Sequence, residues 1–271
     1  MRTGFQSVLA AATVGAALCA GGAALRGQDA AKPEAVKMMP KGADPDWDVV
    51  TVKPTDPSET GGQRVRPAGR RVQLTNTTVE QFLLLGYGVQ KSQLMGEPEW
   101  AKTERWNVDG VPDVEGEPNW AQIQGLMRKI LTERFGLKLH REQRELPVYA
   151  MTVAKGGPKM TPNTSDPNGL LDQRNYSVRG REVQNLRNAS MADLATILQF
   201  RIGRPVVDQT GLKGRYDFNL QWTTDESQLN APDAPPGIFT AIQEQIGLKL
   251  EPVKAPVEVL VVDKVERPGA N

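Results

Sequence analysis

Histidine and cysteine are nearly missing from the chain, with one of each in 271 residues. His140 is the sole imidazole, so a Ser-His-Asp triad would have to use it, and no Gly-x-Ser-x-Gly elbow accompanies it. Zinc asks for cysteine or clustered histidine, and neither is available; no metal site and no cofactor are expected. No sign of charge prevails either. Thirty-three basic residues face 32 acidic ones, a balance of +1, so no strong field would recruit nucleic acid or anionic lipid. There is no phosphate-cradling glycine loop: Gly203, Gly211 and Gly214 lie too far apart, and no Lys-Ser/Thr follows them. Asp208-Gln-Thr-Gly211 carries one residue more than the Asp-Thr-Gly of aspartic proteases, and no second copy exists to share a proton with it.

What is present begins with a leader. Arg2 gives a positive end, Val8 to Leu18 is an apolar run of mostly small residues, and the chain turns polar from Gln28. That layout predicts a signal peptide over residues 1–27, and with it a periplasmic or secreted protein. The run is shorter than the roughly 20 apolar residues that a retained anchor helix needs. No later segment is long and apolar enough to span a membrane, so no span is expected after cleavage. Leu18 precedes Cys19 where lipidation wants a small residue. Cleavage beyond Cys19 leaves no thiol, which removes disulfides and thiol catalysis and leaves stability to packing. Residues 28–46, rich in Ala, Lys, Pro, Gly and Asp, read as a flexible linker.

The rest of the chain repeats itself. At an offset of about 111 residues, Phe135-Gly-Leu-Lys-Leu139 aligns with Ile246-Gly-Leu-Lys-Leu250. Val148 to Met151 then falls opposite Val259 to Val262, and Gly69 to Gln73 opposite Gly180 to Gln184. Leu74 to Val79 matches Leu186 to Met191, and Arg105 to Val108 matches Arg215 to Phe218. These blocks, in one order in both halves, predict a tandem duplication: residues 47–157, a loop linker over 158–171, and residues 172–268.

Each copy reads as an extended pair, a short capped helix, a hairpin ending at Trp106 or Phe218, a longer helix, and two closing strands around a polar turn. Thr78 with Gln81 forms a capping box, and Ser190 with Asp193 is its counterpart. Gly136 and Gly247 are placed to stop the longer helices in a left-handed turn. The expected class is α+β: a repeated β-β-α-β-β-α-β-β unit, with mixed or antiparallel sheets and helices on one face.

Several stretches carry a resemblance. Trp47 to Pro54, Leu131 to Glu142, Glu145 to Ala150, Gly203 to Phe218 and Ala255 to Asp263 together resemble an uncharacterised family of exported proteins, expanded in some soil bacteria, that carries a domain of unknown function. The resemblance implies no activity and no catalytic residues. Some members bear this module beside an antirepressor-type membrane metallopeptidase sensor, which implies a link to envelope signalling. The helix followed by a Gly-Leu strand is also similar to the N-terminal interaction modules of secretins and TonB-dependent receptors.

The best candidate surface lies in that Gly203 block and the helix end before it. Arg201, Arg204, Lys213 and Arg215 stand near Asp208, and clustered guanidinium groups suit a carboxylate or another anion. The plainer alternative has Pro205 and Gly211 shaping a turn that Asp208 caps, or Asp208 pairing with one of the arginines. His140 reads as a surface residue on a strand. Asp109, Asp113, Glu115 and Glu117 offer oxygen ligands, but their spacing fits no calcium loop and reads as a solvated linker. Trp100, Trp106, Trp120 and Trp222 could line a groove, although such spacing usually marks core.

Three classes of function stay open. The first is a non-enzymatic periplasmic interaction or ligand-binding module, with a cell-envelope protein or a small anion as partner. The second is a regulatory or sensor component of envelope signalling, and the third a hydrolase working through carboxylates alone.

Overall fold

Alternating apolar residues and three capped helices build the three sheets of a computed structural model, which describes residues 37–164, 171–178, 180–224 and 235–269. The elements run β1 (Trp47–Pro54), β2 (Arg64–Ala68), β3 (Arg71–Thr78), α1 (Val79–Tyr87), β4 (Leu94–Met95), α2 (Glu99–Thr103), β5 (Arg105–Pro112), α3 (Trp120–Glu133) and β6 (Lys138–Val153). There follow β7 (Thr161–Asn163), β8 (Asp172–Val178), β9 (Arg181–Ala189), α4 (Met191–Ile202), β10 (Val206–Asp208), β11 (Arg215–Thr223), α5 (Ile238–Ala241) and β12 (Leu248–Lys264). A π turn, Ile242–Ile246, continues α5. The fold is α+β with mixed sheets, as expected.

The first sheet has the order β1-β5-β3-β2 and the third β7-β11-β9-β8, with every neighbour antiparallel. A further sheet has the order β10-β6-β12-β4. Here the expectation fails. Residues 137–153 and 248–262 do not fold back as hairpins. Each runs on as one long strand, and β6 pairs antiparallel with β12 from Leu248↔Val153 to Lys264↔Lys138. Neither polar turn bends because the partner strand satisfies the backbone groups throughout, which a self-hairpin of four or five residues per arm cannot match. β10 then adds parallel to β6, and β4 parallel to β12. The first extended pair is also different. β1 pairs with β5, and β3 takes β2, a strand the sequence reading left out. The observed order through β6 is therefore β-β-β-α-β-α-β-α-β.

Two apolar clusters form the core. One gathers Phe82, Leu83, Trp106, Ile123, Leu126, Ile130 and Phe135. The other gathers Leu186, Leu194, Leu198, Leu220, Trp222, Ile242 and Ile246. The long strands feed both, with Leu260 and Val262 in the first and Met151, Leu248 and Leu250 in the second. Burying each such side chain contributes about 1.5–3 kcal/mol.

The helices start where the caps dictate. Thr78 and Gln81 exchange bonds in a capping box, and so do Ser190 and Asp193, as read from the sequence. Asn119 and Gln122 add a third box at α3. α1 and α4 both stop at a left-handed glycine, Gly88 and Gly203.

Two linker expectations need correction. Residues 37–46 are tied down: Met39 is buried, the Gln122 amide donates to the Pro40 and Ala43 carbonyls, and Lys129 Nζ reaches the Pro45 carbonyl at 2.8 Å. Sparse apolar content hid this, because backbone carbonyls rather than side chains make most of the bonds. Within 158–171, Met160 is buried and Thr161–Asn163 is strand β7. The signal segment 1–27, with Cys19, and the first part of the linker lie outside the described residues. No helix among the described residues is long and apolar enough to cross a membrane.

Candidate functional site

The residues singled out between 201 and 215 descend from the end of α4 through β10 to the start of β11, and the fold sends them to different tasks. Gly203 adopts φ 66°, which turns the chain out of α4. Pro205 follows, its carbonyl accepting from Tyr149 N at 2.9 Å as β10 docks beside β6. Asp208 shapes its own loop: its Oδ1 accepts from Thr210 N at 2.9 Å and from Thr210 Oγ1 at 2.7 Å. That is the turn-capping alternative. Lys213 is exposed, and its carbonyl accepts the Tyr216 hydroxyl proton at 2.9 Å.

The arginines divide. Arg215 is structural. Its Nη1 donates to the Asn188 carbonyl at 2.6 Å and lies 3.4 Å from Asp193, the acid of the α4 capping box. Arg201 lies over the Trp222 ring, 5.7 Å from its centre, and donates to the buried Gln184 side chain at 3.4 Å. Arg204 alone of the three has no hydrogen bond or ion pair among the described residues. Its guanidinium sits over the Tyr149 ring at 4.9 Å from the centroid. Tyr149 in turn leans on Phe239, with ring centres 5.2 Å apart and planes tilted by 57°. Phe239 is 44% exposed, so the cluster reaches solvent.

Arg201, Arg204, Asp208, Lys213 and Arg215 therefore each engage a different set of partners. Their neighbours on the surface, Tyr149 and Phe239, were missed because only the parallel β10–β6 pairing brings Arg204 to Tyr149. A cation–π contact holds the guanidinium while leaving its N–H fork available, which suits a carboxylate or another planar anion.

Two clefts lie elsewhere. One, of about 380 Å³, is lined by Asp56, Glu59, Asn76, Thr103 and Arg105. A carboxylate hydrolase needs one acid raised so that it can donate a proton. Asp56 moves the opposite way, lowered by hydrogen bonds from the Ser58 hydroxyl and backbone. Glu59 accepts from the Asn107 amide at 3.3 Å. The other cleft, of about 450 Å³, is lined by Lys155, Lys159, Lys249 and Glu244. Lys159 Nζ is bound to the Glu244 carbonyl, and Lys249 to Glu251.

The remaining candidates resolve simply. Asp109 takes a two-pronged bond from Arg71, Glu115 pairs with Arg70, and Asp113 Oδ1 accepts from Asp46 N. Among the described residues, no group of three or more His, Cys, Asp or Glu is arranged to hold a metal. Trp106 and Trp222 are core, Trp106 meeting Phe135 edge-on at 5.4 Å, while Trp120 is 47% exposed. His140 lies on the exposed part of β6, bonded by Nδ1 to Asp263 at 2.8 Å and by Nε2 to Glu142 at 3.0 Å.

Residues 80–265 match the family model described as "Protein of unknown function (DUF3738)", a span from the first turn of α1 to the end of β12. No curated protein and no solved structure matches the chain. A match over more than half of the sequence settles membership: the chain belongs to the DUF3738 family.

Proposed function

We propose that this protein is an exported, non-enzymatic binding module made of two copies of one α/β unit, and that Arg204 contacts a carboxylate on an envelope partner. The observation that carries the binding surface is the Arg204 guanidinium, which sits over Tyr149 and has no anionic partner among the described residues. An arginine in that state loses little entropy when it meets a carboxylate, since its position is already set.

The duplication is supported by details outside the sequence alignment. The first and third sheets share one strand order when β1, β2, β3 and β5 are matched with β7, β8, β9 and β11. Among the described residues, Asn76 and Asn188 are the non-glycine residues with positive φ, at 54° and 56°. Each donates its backbone N–H to a side-chain oxygen, Oδ1 of Asn107 and Oδ1 of Asp217 respectively. β10 meets β6 at Val206↔Tyr149, and β4 meets β12 at Leu94↔Leu260. Tyr149 and Leu260 stand at the same offset of about 111 residues that relates the sequence blocks. On this reading each copy lends its short strand to the other copy's long one. Export rests on the N-terminal pattern alone.

The experiment is titration of the purified protein with small carboxylates, followed through the Arg204 side-chain and the Tyr149 and Phe239 ring signals by NMR. Shifts confined to this cluster support the reading. Shifts absent there, or concentrated in the Lys155 cleft, overturn it.

A further inference from the structure

The outer edges of the first and third sheets differ in a way that bears on assembly. In the first sheet, edge strand β2 carries Pro67, which removes a backbone donor, together with Arg64 and Arg66. Such features keep an edge from pairing with another chain. At the corresponding position of the third sheet, β8 reads Asp-Gln-Arg-Asn-Tyr-Ser-Val and is exposed at all seven residues. It holds no proline, its one arginine, Arg174, stands beside Asp172, and Tyr176 and Val178 are 52% and 50% exposed. Among the described residues no strand pairs with its outer side, and an open edge of this length, with apolar side chains on view, is a template for strand addition.

We propose that β8 pairs antiparallel with β8 of a second copy, joining two third sheets across a twofold axis. The strand's own sequence supports a self-pair over a foreign strand. Centred on Asn175, the pairing overlaps all seven residues and sets no like charges opposite. Arg174 of each copy falls opposite Tyr176 of the other, so two arginine–aromatic contacts form at once. Asp172 falls opposite Val178, Gln173 opposite Ser177, and Asn175 opposite itself. Residues 172, 174, 176 and 178 share one face of the strand, so the added contacts lie together. The present partner of Arg174 is a loose one: Asp172 at 3.6 Å, with the arginine side chain 78% exposed. An isologous edge contact of this kind closes at the dimer.

The test is sedimentation of the purified full chain over a concentration series, alongside Tyr176→Lys and the pair Arg174→Glu with Tyr176→Lys. Wild type should show a reversible monomer–dimer equilibrium. Tyr176→Lys puts lysine opposite arginine at two symmetric sites and should weaken the dimer about tenfold or more. The double variant, with lysine facing glutamate, should recover it. Hydrogen exchange of the β8 amides in wild type gives a reading that needs no variant: protection should rise with concentration. A chain monomeric at its highest soluble concentration, or a dimer indifferent to Tyr176→Lys, would overturn the proposal. So would β8 protection that appears only when envelope extract is added, since the strand would then accept a foreign segment.

Discussion

Arg215 donates to the carbonyl of Asn188 at 2.6 Å, and Asn188 is one of the two asparagines held at positive φ. Arg105 does the same for Asn76 at 3.0 Å. In both places the arginine pins the corner where a strand hands over to a capped helix.

Removing either arginine should therefore cost stability rather than binding. Arg215→Ala is expected to lose about 2 kcal/mol, because a largely buried, charge-assisted bond goes with it. Arg105 is more exposed, so Arg105→Ala should lose about 1 kcal/mol. Urea unfolding at constant m-value measures both. Equal stability of Arg215→Ala and wild type would contradict the structural role.

Gly136 and Gly247 end corresponding helical segments, yet their substitution should not cost the same. A Cβ on Gly247 would come within 2.1 Å of the Gly157 carbonyl oxygen, at φ 71°. On Gly136, at φ 56°, it would meet only the flexible end of Glu266 at 3.3 Å. Gly136→Ala should lose about 1–2 kcal/mol for the left-handed backbone alone, and Gly247→Ala clearly more. Thermal unfolding of the two variants checks the order.

These glycines also mark how far the sequence could be read. Capping boxes, stop glycines and the class were legible because each depends on residues within a turn of one another. The pairing of β6 with β12 was not, since nothing local distinguishes a strand that turns back from one that runs on to a distant partner. The candidate site fared likewise. Pro205, Asp208 and Gly211 announced a turn, but the aromatic ring under Arg204 comes from a strand more than fifty residues earlier.

His140 gives a pH test. Hydrogen bonds that the ring donates to Glu142 first, and then to Asp263, raise it above its ordinary 6.5. A raised folded value means its contribution is complete below the unfolded value and is lost as pH rises through the folded one. Glu142 is lowered from 4.5, by His140 first and then Arg144, so its contribution is lost as pH falls through its folded value. His140→Gln should thus differ most from wild type at about pH 6 and converge with it by about pH 9. Chemical unfolding at both pH values reads the difference, and a gap that widened with pH would contradict it.

Export has its own check. Mature protein recovered from source cells should begin within about Ala20 to Gln28 and lack Cys19. Edman sequencing that begins at Met1 on protein from the cytoplasm would contradict the leader.

The central claim, a binding surface at Arg204, is tested most directly by crosslinking mass spectrometry in the envelope of source cells, comparing wild type with Arg204→Ala. Arg215 is unsuitable for this comparison, because losing it weakens the fold. The account expects one specific envelope protein, joined through residues near Tyr149 and Phe239, that is recovered with wild type and lost with an equally stable Arg204→Ala. The same recovery from both proteins would contradict it.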